Sequence, residues 1–335
     1  MIETELLAPL PEPSTNNAVA GVSVPAGTFL FTFMGLGPGK DVDDVHARAH
    51  VSGPGIEGWI SLPELPDKAG RLAATAATVR GRVHVFGGYT VAADGAERST
   101  PEVWALDVGS GAYVERASMP IPVDDTIALV HQDRYVYLVS GWHDESNVDA
   151  VQLYDAIADE WRSASRWPGT PVFGHAGGIV GDQMVVCDGV KLTVSADGGR
   201  EFSMSDECWV GTIAPDDVTQ IEWRPLAGHP GPPRYRMAAT GDAVSQRYVF
   251  AGGSEIPYNY DGVGYDGRPA EPANVVLTLD AGTLEWQEAG RLAVASMDHR
   301  ALVQDGDRFV IIGGMRASRR VASDVLAFRL PSPAR

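Results

Sequence analysis

Val83-His84-Val85-Phe86-Gly87-Gly88 is a short run of β-branched and aromatic residues that stops on a glycine doublet. Such a run reads as a strand, and the doublet as a sharp bend that a Cβ would obstruct. The same event recurs along the chain: Phe29–Met34 before Gly35-Leu36-Gly37, Tyr135–Val139 before Ser140-Gly141, Met184–Cys187 before Asp188-Gly189, Tyr248–Ala251 before Gly252-Gly253, and Phe309–Ile312 before Gly313-Gly314. Turns starting at 35, 87, 140, 188, 252 and 313 are 48 to 64 residues apart, near the roughly 50-residue period of a four-stranded propeller blade. Six repeats predict an all-β, six-bladed β-propeller around a central channel.

In the blade that holds Val83–Gly88, Arg71–Val79 is the inner strand, Arg82–Phe86 the second, Glu102–Asp107 the third and Tyr113–Arg116 the outer one. Alanine and glycine dominate the inner strands here and in His175–Ile179 and Met237–Gly241, because bulky side chains would collide near the axis. Arg80-Gly81, Gln132-Asp133, Gly181-Asp182 and Asp305-Gly306 supply the tight hairpins between inner and second strands. Trp59, Tyr113, Trp161, Trp223 and Trp286 mark outer strands, but the last repeat has no such strand. Residues 3–8 match the missing piece, so the N-terminal strand is expected to close the last blade and leave no free edge. The predicted organisation is one domain over 1–335, with blades at about 17–66, 67–122, 123–171, 172–230, 231–293, and 294–330 plus 3–8.

The chain has 335 residues, 26 basic against 44 acidic, and a net charge of −18. A surface of that sign repels a phosphate backbone, so nucleic acid is not expected as a partner. Met1-Ile2-Glu3-Thr4-Glu5 carries acid where a signal peptide needs base, and no apolar run approaches the ~18 residues of a membrane span. A cytoplasmic protein without a membrane partner is therefore expected. Cys187 and Cys208 are too few for a disulfide framework or a four-thiolate site, and are expected as two free structural thiols.

The repeats resemble the kelch family of propellers over essentially the whole chain. Within it, three stretches are similar to the bacterial sialic acid mutarotases, also called N-acetylneuraminate epimerases: Gly35-Leu36-Gly37, Val83–Gly88 following Arg71, and the Asn-Tyr-rich segment Phe250–Tyr265. The resemblance implies interconversion of the anomers of a sugar acid by general acid and base, with no cofactor and no metal. The pattern departs from that family in lacking an export signal and in placing Val190 and Lys191 behind Asp188-Gly189, where the family has a Glu. Either Asp188 substitutes for that carboxylate or the role is vacant.

Blade geometry brings the residues before each inner strand and after each glycine turn to one mouth. Arg71 and Arg236 stand at equal offsets before their turns and are expected to face each other across the axis. With Arg300 they would hold a substrate carboxylate in a locally positive well. Glu255 and Tyr258 join the expected binding set, with Tyr258 capping the sugar. His175 or Asp125 is the candidate base, and His299 or Asp298 the candidate acid. The alternative is structural: these arginines pair with a neighbouring blade's carboxylate, Asp125 or Asp298. A different class of function is a non-catalytic kelch module that binds a partner protein through residues 256–272, or a small acidic ligand. A copper radical oxidase would need a Cys cross-linked to Tyr beside further Tyr and His ligands, and neither cysteine stands in such an arrangement.

Overall fold

A computed structural model of the chain describes residues 1–68 and 70–331; residue 69 and the last four residues of the expected 1–335 domain lie outside the described residues. Six four-stranded antiparallel sheets make the ring. Blade II, for example, is Thr75–Val79, Arg82–Phe86, Val103–Asp107 and Ala112–Arg116 from the axis outward. The inner strands, Ala18–Val24, Thr75–Val79, Ile127–His131, Ala176–Val180, Ala238–Asp242 and Val303–Asp305, touch one another in sequence, and the sixth touches the first. Closure follows the expectation: Thr4 pairs with Phe328, Glu5 with Ala327 and Leu6 with Leu326, so the chain's first strand is the outer strand of blade VI. Among the described residues no helix is long and apolar enough to cross a membrane.

The core lies between blades. Six apolar clusters each join residues of two neighbouring blades. Phe33 and Val85, for instance, meet in the cluster between blades I and II, and Tyr248 and Val185 in that between IV and V. Burying a side chain of that size stabilises by about 1.5–3 kcal/mol, which makes each interface a strong seam. The outer aromatics add a polar stitch to the preceding blade. Trp59 donates its indole N–H to the Ala8 carbonyl (2.9 Å), Tyr113 its hydroxyl to Pro63 (3.0 Å), Trp161 its indole to Ala117 (2.7 Å) and Trp286 its indole to Ala227 (2.8 Å).

Two local readings are corrected. The turn of blade I is Met34-Gly35, one residue earlier than its glycines suggest: Met34 has φ +55°, like Gly87, Ser140, Asp188, Gly252 and Gly313 at the equivalent places, and the strand runs on to Leu36 past a shift in register. The cysteines are not free thiols. Cys187 ends the second strand of blade IV and Cys208 begins the third, where they stand directly opposite each other and form a buried disulfide.

Candidate functional site

The residue entering each inner strand has a left-handed backbone in every blade: Asn16, Ala73, Asp125, Gly174, Arg236 and Asp298, with φ from +49° to +71°. Backbone groups that face the axis need partners once buried, and these residues supply them. The N–H of Ala73 donates to Asn16 (3.3 Å), Asp125 to Ala73 (3.0 Å), Gly174 to Asp125 (2.8 Å) and Arg236 to Gly174 (2.8 Å), while His299 donates to Arg236 (3.1 Å). The Asp298 carboxylate completes the belt by accepting from the Asn16 N–H at 3.1 Å. This belt brings three charged side chains, from blades III, V and VI, to one level.

Arg236 lies between two carboxylates. Its Nε donates to Asp125 Oδ1 at 3.1 Å, its Nη2 bonds Asp125 Oδ2, and its Nη1 donates to Asp298 Oδ1 at 2.8 Å. Arg300 adds contacts to Asp125 (3.1 Å) and Asp298 (3.5 Å). Asp298 is fully buried and also accepts from Thr15 (2.5 Å), the Asn16 amide (2.8 Å) and Tyr258 (3.4 Å). Two guanidinium groups and two carboxylates thus balance. Burial pushes the Asp125 carboxyl up, but Arg236 and Arg300 outweigh it and hold the group below the ordinary aspartate range.

Above this network the mouth holds a cavity of about 370 Å³, within the range of small-molecule sites. Hairpins raised from the blade turns build its walls: Tyr89–Val91 with Glu97–Ser99, Trp142–His143 with Ser146–Asn147, and Val190–Val194 with Arg200–Met204. The blade V segment completes the enclosure through Tyr258, Asn259, Tyr260 and Tyr265. Tyr265 stacks on Phe202 with ring centroids 4.2 Å apart, and Phe202 packs on Trp142 and Phe173. Arg200 lies over both Trp142 and Phe202 and has no ion pair among the described residues.

Two cavity carboxyls have environments unlike that of Asp125. Asp124 is 2% exposed, and burial, reinforced by the Asp125 charge, raises its pKa well above the aspartate value despite a 2.6 Å hydrogen bond from Ser99 Oγ. Glu97, two residues from Ser99 on the same face of its strand, keeps contact with water at the rim; the surrounding walls still strip enough hydration to raise its pKa above the ordinary glutamate value. Asp124 is therefore suited to hold a proton and Glu97 to accept one, which is the division of labour that acid–base catalysis requires.

The ring is similar to the solved structure of YjhT. The match covers 95% of each chain at a TM-score of 0.73 and 16% identity, a likeness of fold. No family model and no curated protein matches the chain.

Of the residues expected at the mouth, Asp125, Arg236 and Tyr258 line the cavity. Arg300 lies below them, lining a narrow part of the channel together with His175. Burial lowers His175 to about 4, and its ring nitrogens have no hydrogen-bond partner of ordinary geometry. His299 Nε2 and Ser296 Oγ are hydrogen-bonded at 2.6 Å, and burial beside Arg316 and Arg300 drives the imidazole pKa well below the usual value. Asp298 is sealed under Tyr258 and Arg236. Arg71 does not face Arg236: it is held by Asp67, by Glu102 at 3.2 Å and by the Gly87 carbonyl at 3.2 Å, and it does not line the cavity. Glu255 is exposed and stands outside the lining. Asp188 is spent on His229 Nε2 (2.8 Å) and the Arg234 N–H (2.7 Å), away from the cavity. Among the described residues no cluster of three or more His, Cys, Asp or Glu is arranged to hold a metal ion.

Glu97, Ser99, Phe173, Arg200 and Phe202 were not singled out by the sequence. Their signal is indirect: the connections between second and third strands in blades II and IV are long enough for a hairpin, and Val190–Val194 alternates as a strand does.

Proposed function

We propose that the mouth cavity binds a sugar acid and interconverts its anomers, the activity implied by the resemblance to kelch-type sialic acid mutarotases. The observation that carries this reading is the pair Asp124 and Glu97, two carboxyls with raised pKa facing one aromatic-walled cavity. Glu97 takes the proton of the anomeric hydroxyl while Asp124 gives its proton to the ring oxygen, and the bond between that oxygen and the anomeric carbon breaks. The open-chain carbonyl turns about its carbon–carbon bond and is attacked on the other face. The ring-forming hydroxyl then loses its proton to Asp124, and Glu97 returns a proton to the new anomeric oxygen.

This assignment replaces the histidines. A buried imidazole pulled to about 4 is a poor base at neutral pH, and Asp125 is weakened as a base by its arginines. It also moves the carboxylate grip. Arg236 and Arg300 are neutralised by Asp125 and Asp298, so Arg200 is the cation left to meet the sugar's carboxylate, with Trp142, Phe202 and Tyr265 against the apolar ring face.

The test is proton NMR exchange between anomers of freshly dissolved N-acetylneuraminate, run beside a neutral aldose. Faster exchange of the acid in proportion to protein supports the reading. Rates equal to the protein-free solution for both sugars reject it.

A further inference from the structure

On the face of the ring opposite the mouth, a second cavity of about 510 Å³ opens between blades II and III. Its position follows from strand direction: Arg82 begins the second strand of blade II, and the Gly87-Gly88 turn at the mouth lies past that strand's other end. Arg80, Arg82, His84, Asp107 and Arg116 line it, so three guanidinium groups meet one carboxylate in a chain of net charge −18.

These cations are poorly neutralised. Arg82 Nε stands 3.4 Å from Asp107 Oδ2, while Asp107 also accepts from the Ser110 N–H (3.0 Å) and hydroxyl (2.9 Å). Arg116 Nη1 is 3.9 Å from Asp159, beyond hydrogen-bond reach, and its buried Nε has no partner. Arg80 has no ion pair among the described residues.

His84 supplies the second observation. It is 2% exposed, and neither ring nitrogen finds a hydrogen bond of ordinary geometry. Its ring packs against Phe86 and Tyr154, in line with core residues of the blade II–III seam. Burial, then Arg116, pull it to about 4, with the Arg82 main chain opposing. A polar ring kept in an apolar seam without a partner is unfavourable, and it becomes favourable when a ligand oxygen meets it.

We propose that this pocket binds a phosphate group, either inorganic phosphate or the head of a small phosphate monoester. Arg82 and Arg116 donate charge-assisted hydrogen bonds to its oxygens from two sides, the His84 ring N–H donates from the floor, and Arg80 adds charge at the rim. The volume leaves room for a small organic group beyond the phosphate. The mouth cavity is lined differently, by Glu97, Asp124, Asp125 and Asp144 with Arg200 and Arg236.

Calorimetric titration of the full-length protein with inorganic phosphate, and separately with glucose 6-phosphate, tests the site. Saturable binding of either probe is expected; tighter binding of the ester identifies a monoester site, and equal or tighter binding of phosphate a free-anion site. Arg116→Gln is expected to weaken it about tenfold or more. Arg82→Gln, at a half-exposed position that leaves folding intact, is expected to do the same. The His84 ring signals in the NMR spectrum are expected to shift with phosphate and not with chloride at equal ionic strength. No saturable heat with either probe, equal affinity in both variants, or unmoved His84 signals overturns the proposal.

Discussion

Arg236 Nη1 and Asp298 Oδ1 meet at 2.8 Å from adjacent blades, and both residues hold left-handed backbones, φ +55° and +71°. The pair does two things at once. It joins blades V and VI beside the belt of main-chain hydrogen bonds, and it removes from the mouth an arginine that would otherwise attract anions. With Asp125 and Arg300 it forms a charge-balanced floor on which the cavity rests.

Removing Arg236 leaves two buried carboxylates, Asp125 and Asp298, sharing the single guanidinium of Arg300. Arg236→Met is expected to cost about 3–5 kcal/mol in urea unfolding, the range for a broken buried ion pair. A loss below about 1 kcal/mol would show that the network does not join the blades.

Asp124 carries a cost that a variant should expose. Its folded pKa is raised, so its contribution is most favourable below the unfolded aspartate value and is lost as pH rises toward the folded one. Asp124→Asn is therefore expected to match the wild type near pH 4 and to become the more stable protein as pH climbs from there to 8. Urea midpoints across that range check it; a variant that falls behind the wild type with rising pH would contradict the protonated state assigned to this group.

The ring was legible in the sequence because a glycine turn, a small-residue inner strand and an outer aromatic recur with each blade, and a missing outer strand has only one place to come from. The site was not legible in the same way. Arg71 and Arg236 look alike by offset, yet Arg71 has Asp67 and Glu102 nearby in its own blade, while Arg236 meets Asp125 and Asp298 from other blades. Glu97 and Arg200 sit on raised hairpins that carry no period, so nothing in the repeat points to them. Cys187 and Cys208 are 21 residues apart, and only the strand register reveals that they are opposed.

Structural disulfides persist in oxidising surroundings, so the Cys187–Cys208 bond is to be checked on unreduced protein. Alkylation and mass spectrometry of unreduced protein are expected to find no free thiol, and Cys187→Ala with Cys208→Ala to cost about 3 kcal/mol for a loop of this length. Two alkylated cysteines in protein taken directly from cells would restore the reading of free thiols.

Arg200 is assigned the substrate carboxylate, a role confined to acidic sugars. Arg200→Ala is expected to raise KM for a sugar acid about tenfold or more with little change in kcat, and to leave protein stability nearly unaltered at this exposed position. Equal KM values for variant and wild type would return the carboxylate grip to Arg236 or Arg300.

The division of roles between Glu97 and Asp124 is tested most directly by the anomer exchange rate measured against pH in wild type, Glu97→Gln and Asp124→Asn, with Glu255→Gln, which lies outside the cavity, as control. A bell-shaped wild-type profile is predicted, its acid limb set by Glu97 above the ordinary glutamate value and its alkaline limb by Asp124. Each cavity variant should lose about a hundredfold or more and its own limb, while the control keeps both. Exchange as fast in Glu97→Gln and Asp124→Asn as in the wild type would contradict these acid and base roles.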